Sequence, residues 1–277
     1  MSTLQIRAMT PADIDPVAAI YRAGSWGERR LFLESVLSNS ACKALVGICD
    51  GAVTATGMAT VNGRVGWVGS IFVDVSQRSR GFGRAMTEAV CAEIDAAGCT
   101  TQALIASRYG RPLYEKMGFR ADGAYQILEA PTLGASPAQP HGTSVRHMTR
   151  DDLGRLGELD ARATGEDRRA LLAPMVGSGW VLESGADLLG YLVQIWPESA
   201  ALVATEREHA LFLLDLLRYL GHGRTDRARA AVHGEEERHL LARLGWEPIM
   251  TEPRMLRGEA VEWKPSLIWS ILGFAFG

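Results

Sequence analysis

The sequence predicts a mixed α/β fold: an α+β mixed sheet in two tandem halves, each a central, largely antiparallel sheet flanked by helices. Three observations predict it. The dipeptides Asp50-Gly51 and Asn62-Gly63 join three strand-like runs into an antiparallel meander. A helical run follows at once, with Phe82, Met86, Ala89, Val90, Ile94 and Ala97 on one face. Finally, phrases recur in order. Arg7-Ala8-Met9-Thr10 is answered by Arg146-His147-Met148-Thr149, and LYEKMGF, 113–119, is answered by LLARLGW, 240–246.

Leu4 to Met9 reads as a strand. Thr10 and Pro11 open a helix, Thr10 as its N-cap and Pro11 at the first helical position. Gly27 to Leu37 reads as a short second helix. The three meander strands are Lys43–Cys49, Val53–Val61 and Arg64–Val73. The last is nearly continuous in apolar and small residues, as expected of a strand covered on both faces. The helix over 80–97 is closed by Gly98. Thr101–Ala106 is a strand, Arg111–Met117 a short helix ended by Gly118, and Tyr125–Glu129 a last strand.

The run APTLGASPAQPHGT, 130–143, holds three prolines and two glycines and reads as a linker. The expected domains are therefore 1–130 and 144–277, joined by 131–143. The apolar tail Leu267–Phe276 is too short to cross a bilayer and is expected to pack on the body.

Bulk properties narrow the function. The 277 residues are 47% apolar and carry a formal charge of −3, so no global field attracts nucleic acid or an anionic membrane. Neither is expected as a partner. Cys42, Cys49, Cys91 and Cys99 form no Cys-x-x-Cys pair, and no histidines stand at zinc spacing, so no metal is expected. Idle thiols and a first stretch without a secretory pattern point to the cytoplasm.

The most informative stretch is IFVDVSQRSRGFGRA, 71–85. A buried strand ends at Val73, a short loop follows, and a helix opens near Arg80 or Gly81. Amides at a helix start lack internal partners and carry partial positive charge. Gly81 and Gly83 let a phosphate approach that backbone. Arg78, Arg80 and Arg84 add charge around it. No Gly-Lys-Ser/Thr ending marks a P-loop. Met86 stands where a dinucleotide fingerprint needs its third glycine. Arg78-x-x-Gly81-x-Gly83 resembles the Q/R-x-x-G-x-G/A signature of the GNAT superfamily of N-acetyltransferases, and the order of elements around it fits the same family.

That resemblance implies acetyl-CoA as co-substrate, its pyrophosphate on Arg78, Ser79, Arg80, Gly81, Phe82, Gly83 and Arg84. It implies that main chain at Val73 and Val75 holds the pantetheine arm and the thioester oxygen. ASRYGRPLYEKMGF, 106–119, is similar to the family's Asn-x-x-Ala-x-x-Leu-Tyr-Glu-Lys-x-Gly-Phe pattern. Tyr114 then matches the acid that protonates the departing thiolate, with Tyr109 as a substitute. Ser107 replaces the asparagine on the cofactor arm, and Gly110 replaces the alanine. Many members carry a basic glutamate on the strand that here is Arg64–Val73, which has no acid before Asp74. Glu28 and Glu34 are left as distant candidates, and a water relay as a third.

In the second half the matching stretch ALVATEREHALFLL, 201–214, has no glycine, and Glu206 and Glu208 oppose a pyrophosphate. Leu241 replaces Tyr114. A degenerate, non-catalytic copy is expected. Arg254-Met255-Leu256-Arg257-Gly258 with Glu166-Asp167-Arg168-Arg169 resembles a C-terminal domain often fused to bacterial GNAT domains. Trp180, Tyr191, Trp196 and Trp246 read as core, and His222 and His233 as surface. The reaction expected is acetyl transfer to a primary amine, of a small molecule, by a monomer or homodimer. A CoA-binding sensor without turnover is the alternative. A nucleic-acid module is a third, disfavoured by charge.

Overall fold

The computed structural model describes residues 3–277. Strand β1, Gln5–Ala8, leads through a short 3-10 turn into helices α1, Ile14–Ala23, and α2, Arg30–Ser38. The meander follows as β2, Cys42–Cys49, β3, Ala52–Asn62, and β4, Val65–Val73. Helix α3, Phe82–Ala96, strand β5, Thr101–Ile105, helix α4, Arg111–Lys116, and strand β6, Arg120–Pro131, complete the first half. The second half repeats the plan. It comprises β7, Ser144–His147, α5, Leu153–Thr164, α6, Arg169–Leu172, β8, Gly179–Ser184, β9, Asp187–Trp196, and β10, Ser199–Ala204. Then come α7, Arg207–Gly221, β11, Arg227–Val232, α8, Glu235–Arg243, β12, Glu247–Gly258, and a short β13, Ile268–Ser270.

Twelve strands lie in one sheet in the order β1-β2-β3-β4-β5-β12-β6-β11-β10-β9-β8-β7, and β13 pairs with β10. The halves have exchanged their closing strands. β12 of the second half lies against β5 of the first, Arg254 facing Ile105. β6 of the first half lies against β11 of the second, Ala130 facing Ala228. β6 and β12 also pair with each other. The expected strand Tyr125–Glu129 is therefore longer at both ends, and Ala130, placed in the linker run by composition, is a buried strand residue.

The recurring phrases have physical counterparts. In the first, Asp13 accepts from the amide and hydroxyl of Thr10, both at 2.8 Å, and from both ends of the Arg7 guanidinium at 2.7 and 2.8 Å. Asp152 does the same with Thr149 and Arg146, and adds Arg155. So Thr10 and Thr149 donate to an aspartate three residues on, and a 3-10 turn precedes each helix. The second phrase is a helix ending. Phe119 N–H donates to Tyr114 O and Trp246 N–H to Leu241 O, each at 3.0 Å. The intervening Gly118 and Gly245 have φ of 89° and 83°, a backbone that favours glycine.

Helix α3 buries Met86, Val90 and Ile94 completely on β3 and β4. Gly66 of β4 permits that contact, since a Cβ there would stand 2.2 Å from Ile94. Beneath the junction of the halves lies a buried polar network. Glu166 accepts from Asn62 and Trp67, while Arg168 pairs with Asp160 at 2.6 Å and donates to the Gly277 carbonyl. Arg254 lines the same small void beside Glu166 and Arg168. The two charged phrases noted in the second half thus meet in space.

After β13 the tail crosses to the first half, where the Ala275 and Phe276 carbonyls accept from Thr60 and Asn62. Two expected placements change, Trp196 from the core and His233 from the surface. Trp196 lies at the end of β9 on a cavity wall, and His233 is half-buried against Tyr125 and Trp263.

Candidate active site

Two features of β4 open a cleft. Opposite Gly57 the strand carries one extra residue: Thr56 faces Phe72 and Met58 faces Gly69, with Ser70 at φ 52°. Such a bulge bends and twists its strand. On its other edge β4 runs parallel to β5 only from Val65 to Trp67. Beyond that the two strands part, and Val68, Gly69, Ser70 and Ile71 line one side of a cavity of about 530 Å³. Ile105, Ser107 and Tyr114 line it from β5 and the turn into α4.

The loop after Val73 follows the part of β4 that lines the cavity, and none of its own residues is in the wall. Asp74 accepts from the Ser76 amide at 2.8 Å. Ser79 and Gly81 take positive φ, 64° and 83°, either side of Arg80. Helix α3 then opens at Phe82, two residues later than the sequence suggested. Its first internal bond, Ala85 N–H to Gly81 O, leaves the amides of Phe82, Gly83 and Arg84 without an acceptor among the described residues. The positive φ of Gly81 demands glycine. Gly83 is different: a Cβ there would meet only a Val73 methyl, at 3.8 Å. Packing within the chain does not require that glycine, and an open space faces three free amides. This fits an anionic group lying on the backbone.

The predicted side chains take distinct places. Arg78 donates to the Val73 carbonyl at 3.3 Å and sits over the Phe72 ring. Arg80 bonds Gln77 and lies 4.7 Å from the Phe82 ring centre. Both flank the helix start. Arg84 instead points along α3 to Glu88, 2.8 Å away, in an exposed pair that is cheap to break. Val75 is exposed, and its side chain packs on nothing that would mark a site. The Ser107 hydroxyl accepts from the Gly110 amide at 3.3 Å.

Tyr114 packs edge-on against Phe119, and burial pushes its phenol up to about 12. It therefore keeps its proton at neutral pH. Gly110, a departure from the family pattern, has a local reason: a Cβ there would stand 2.7 Å from the Tyr114 ring. Tyr109 is 78% exposed and lies outside the cavity wall. Cys42 and Cys91 are each pushed up to about 11 by burial, so neither offers a thiolate.

The far wall is unforeseen. Tyr21, Trp26, Arg29 and Phe32 come from the α1–α2 region, Trp196 from β9, Met250 and Glu252 from β12, and 272–276 from the tail. Glu28 and Glu34 are spent on Arg22 and Arg30 and do not line the cavity.

Residues 40–121 match the family model of the acetyltransferase (GNAT) domain. The fold is GNAT-like. Solved structures extend the likeness of fold to nearly the whole chain. A candidate acetyltransferase from Pyrococcus horikoshii superposes with a TM-score of 0.82 at 21% identity, over 99% of this chain and 96% of that one. A tandem GNAT protein from the clavulanic acid biosynthesis pathway gives 0.66 at 16% identity, over 94% and 100%. A GCN5-related N-acetyltransferase from Sphaerobacter thermophilus gives 0.65 at 15%, over 94% and 98%. No curated protein matches the chain. The mixed-sheet fold read from the sequence is the fold shared with these structures, one of which is a tandem GNAT protein.

The second half differs at the corresponding elements. Helix α7 starts after Glu206, with φ −138° instead of a left-handed glycine, and carries Glu208 in its first turn. β10 and β11 touch in register only at Ser199 and Arg229. The edge of β10 that this parting exposes pairs with β13, Leu202 facing Ser270 and Val203 facing Ile268. Leu241, at the Tyr114 position, is fully buried.

Proposed function

We propose that this protein is an acetyl-CoA-dependent N-acetyltransferase that moves an acetyl group to the primary amine of a small molecule. One observation carries the reading: free amides at the start of α3, beside an unexplained glycine, Gly83, follow the strand β4, whose parted edge lines a cavity shared with a proton-bearing tyrosine. On this reading the amides of Phe82, Gly83 and Arg84, with Arg78 and Arg80, hold the pyrophosphate. The parted edge of β4, up to Val73 and Val75, orients the pantetheine arm, and Ser107 supports it from the opposite lip. Bound acetyl-CoA supplies an acyl carbon activated as a thioester. Tyr114 gives its proton to sulfur as the carbon–sulfur bond breaks. A free thiol has a pKa near ~8.5, well below the phenol of Tyr114, so the proton moves in step with bond cleavage rather than before it.

The division of labour follows. Residues 1–130 carry the cofactor grip and the acid, 131–143 connect, and 144–277 are non-catalytic in the cofactor sense but wall the acceptor pocket. No metal, nucleic acid or membrane enters the reaction, and a cytoplasmic monomer or homodimer suffices for it. The test is thiol release from acetyl-CoA across an amine library. Binding of acetyl-CoA without amine-dependent thiol release would favour a CoA sensor instead.

A further inference from the structure

The reaction needs a group to take the acceptor's proton, and the first half supplies none. Its meander strand has no acid facing the cleft. Among the residues that line the cavity there is one carboxylate, Glu252, and it comes from the second half. The exchanged strand puts it there. Past the Arg254–Ile105 pair, the Pro253 carbonyl accepts from the Ala106 amide at 2.9 Å, so Glu252 lies beside the turn that carries Ser107 and leads to Tyr114. Glu252 is half-buried and makes no ion pair within the described chain, unlike Glu28 and Glu34.

Most of the rest of the wall is apolar or aromatic, with Ser25, Ser70 and Ser107 among it. Trp26, Phe32, Trp196, Phe274 and Phe276 converge from three separate segments. Arg29 is the only cation lining it, with Nε bonded to the Trp26 carbonyl at 2.9 Å and the guanidinium 5.3 Å from the Trp196 ring. A polycationic acceptor needs several acids, and this wall offers one. An amine with a single charge and an aromatic or aliphatic body matches it.

Resting on the acetyltransferase reading, we propose that Glu252 binds and deprotonates the acceptor, and that the acceptor is an apolar monoamine seated between Trp26 and Trp196. The ammonium gives one proton to Glu252. The neutral nitrogen then bonds to the thioester carbon, the carbon–sulfur bond breaks with its electron pair on sulfur, and Tyr114 protonates that sulfur. The nitrogen's second proton restores Tyr114, and the proton on Glu252 leaves to water. The products are an N-acetyl amide, CoA thiol and one proton. The groups that face Glu252 set its titration. Burial raises its carboxyl and Arg108 lowers it, while Tyr114, Arg29 and Tyr21 share its cavity and Tyr125 stands across from it on β6.

The test uses the full chain, acetyl-CoA, and two amines, 2-phenylethylamine and spermidine. Thiol release is followed from pH 6 to 10, and acetyl-CoA binding by calorimetry. The expected result is release with 2-phenylethylamine, about tenfold or more favoured in kcat/KM over spermidine. Glu252→Gln should lower kcat/KM at neutral pH by about 10²-fold and recover toward the pH at which the amine itself deprotonates. Its Tm and acetyl-CoA affinity should match the parent's, and Glu252→Asp should retain part of the activity. A Glu252→Gln variant within twofold of the parent, a loss that stays constant with pH, or a preference for spermidine overturns the inference and leaves the acetyltransferase reading standing. Acetyl-CoA binding with no thiol release from either amine also overturns it. No heat with acetyl-CoA overturns the parent reading, and this one with it.

Discussion

Tyr114 and Gly83 are the residues on which the proposed chemistry turns. Burial holds the Tyr114 phenol near 12, so it enters the reaction protonated. Tyr114→Phe keeps the ring packed on Phe119 and removes only the proton. It should lower kcat by about 10²-fold while leaving acetyl-CoA affinity within twofold, read by steady-state kinetics and calorimetry. Gly83 makes a sharper test because stability and binding should move in opposite directions. The chain leaves room for a methyl group there, and alanine favours a helix over glycine by roughly 0.5–1 kcal/mol. Gly83→Ala should therefore raise Tm slightly in the free protein and weaken acetyl-CoA binding by about tenfold. An unchanged affinity would mean that no phosphate lies on that backbone. Both residues were legible in the sequence, because each sits in a short local pattern. Glu252 was not. No local pattern around it in the sequence marks a site, and only the strand exchange brings β12 to the cleft.

The same element is built twice with the same three side chains. Arg146 and Arg155, with the Thr149 amide, hold the Asp152 carboxyl well below the usual carboxylate range, and Arg7 and Thr10 do the same for Asp13. The sign follows from the depressed values. The stabilisation is complete above the unfolded value near ~3.9 and is lost as the pH falls through the folded one. Asp152→Asn should cost roughly 1–3 kcal/mol at pH 7, because it discharges a buried acceptor of charged donors. The parent's advantage over it should shrink as pH falls from 5 toward 2, read by chemical denaturation at each pH. A difference that stays constant would show that the carboxylate charge contributes nothing. Helices, strands and hairpins were readable at this scale because each rests on local periodicity or a turn dipeptide. Their ends were less so. Thr10 is the N-cap, with Pro11 first after it as expected, but of a 3-10 turn, and the helix proper starts at Ile14. Composition also drew the linker too early: two residues of it, Ala130 and Pro131, are held in β6 by the pairing with β11.

At the scale of the molecule the two halves differ in what fills the gap beside the fourth strand. In the first it is an open cleft lined by Val68 to Ile71. In the second, the chain's own β13 pairs with β10, and the helix start is acidic. The repeated phrases disclosed the duplication. The exchange of β6 and β12 had no signature, since either pairing buries the same alternating apolar residues. The tail had a readable destiny, to pack, but not a readable place. It closes the second gap with β13 and then walls the acceptor pocket of the first with 272–276. The second half also reaches the cleft of the first: β12 pairs with β5 and brings Glu252 to the cavity, and the end of β9 brings Trp196.

The central claim is a single phosphate-binding cradle at Gly81–Arg84, and the stoichiometry of acetyl-CoA binding tests it most directly. Titration calorimetry on the full chain should give one acetyl-CoA per chain, and Gly83→Asp, which sets a carboxylate against the pyrophosphate, should abolish the heat while leaving Tm nearly unchanged. Two sites per chain, no heat at all, or binding that survives Gly83→Asp would contradict it.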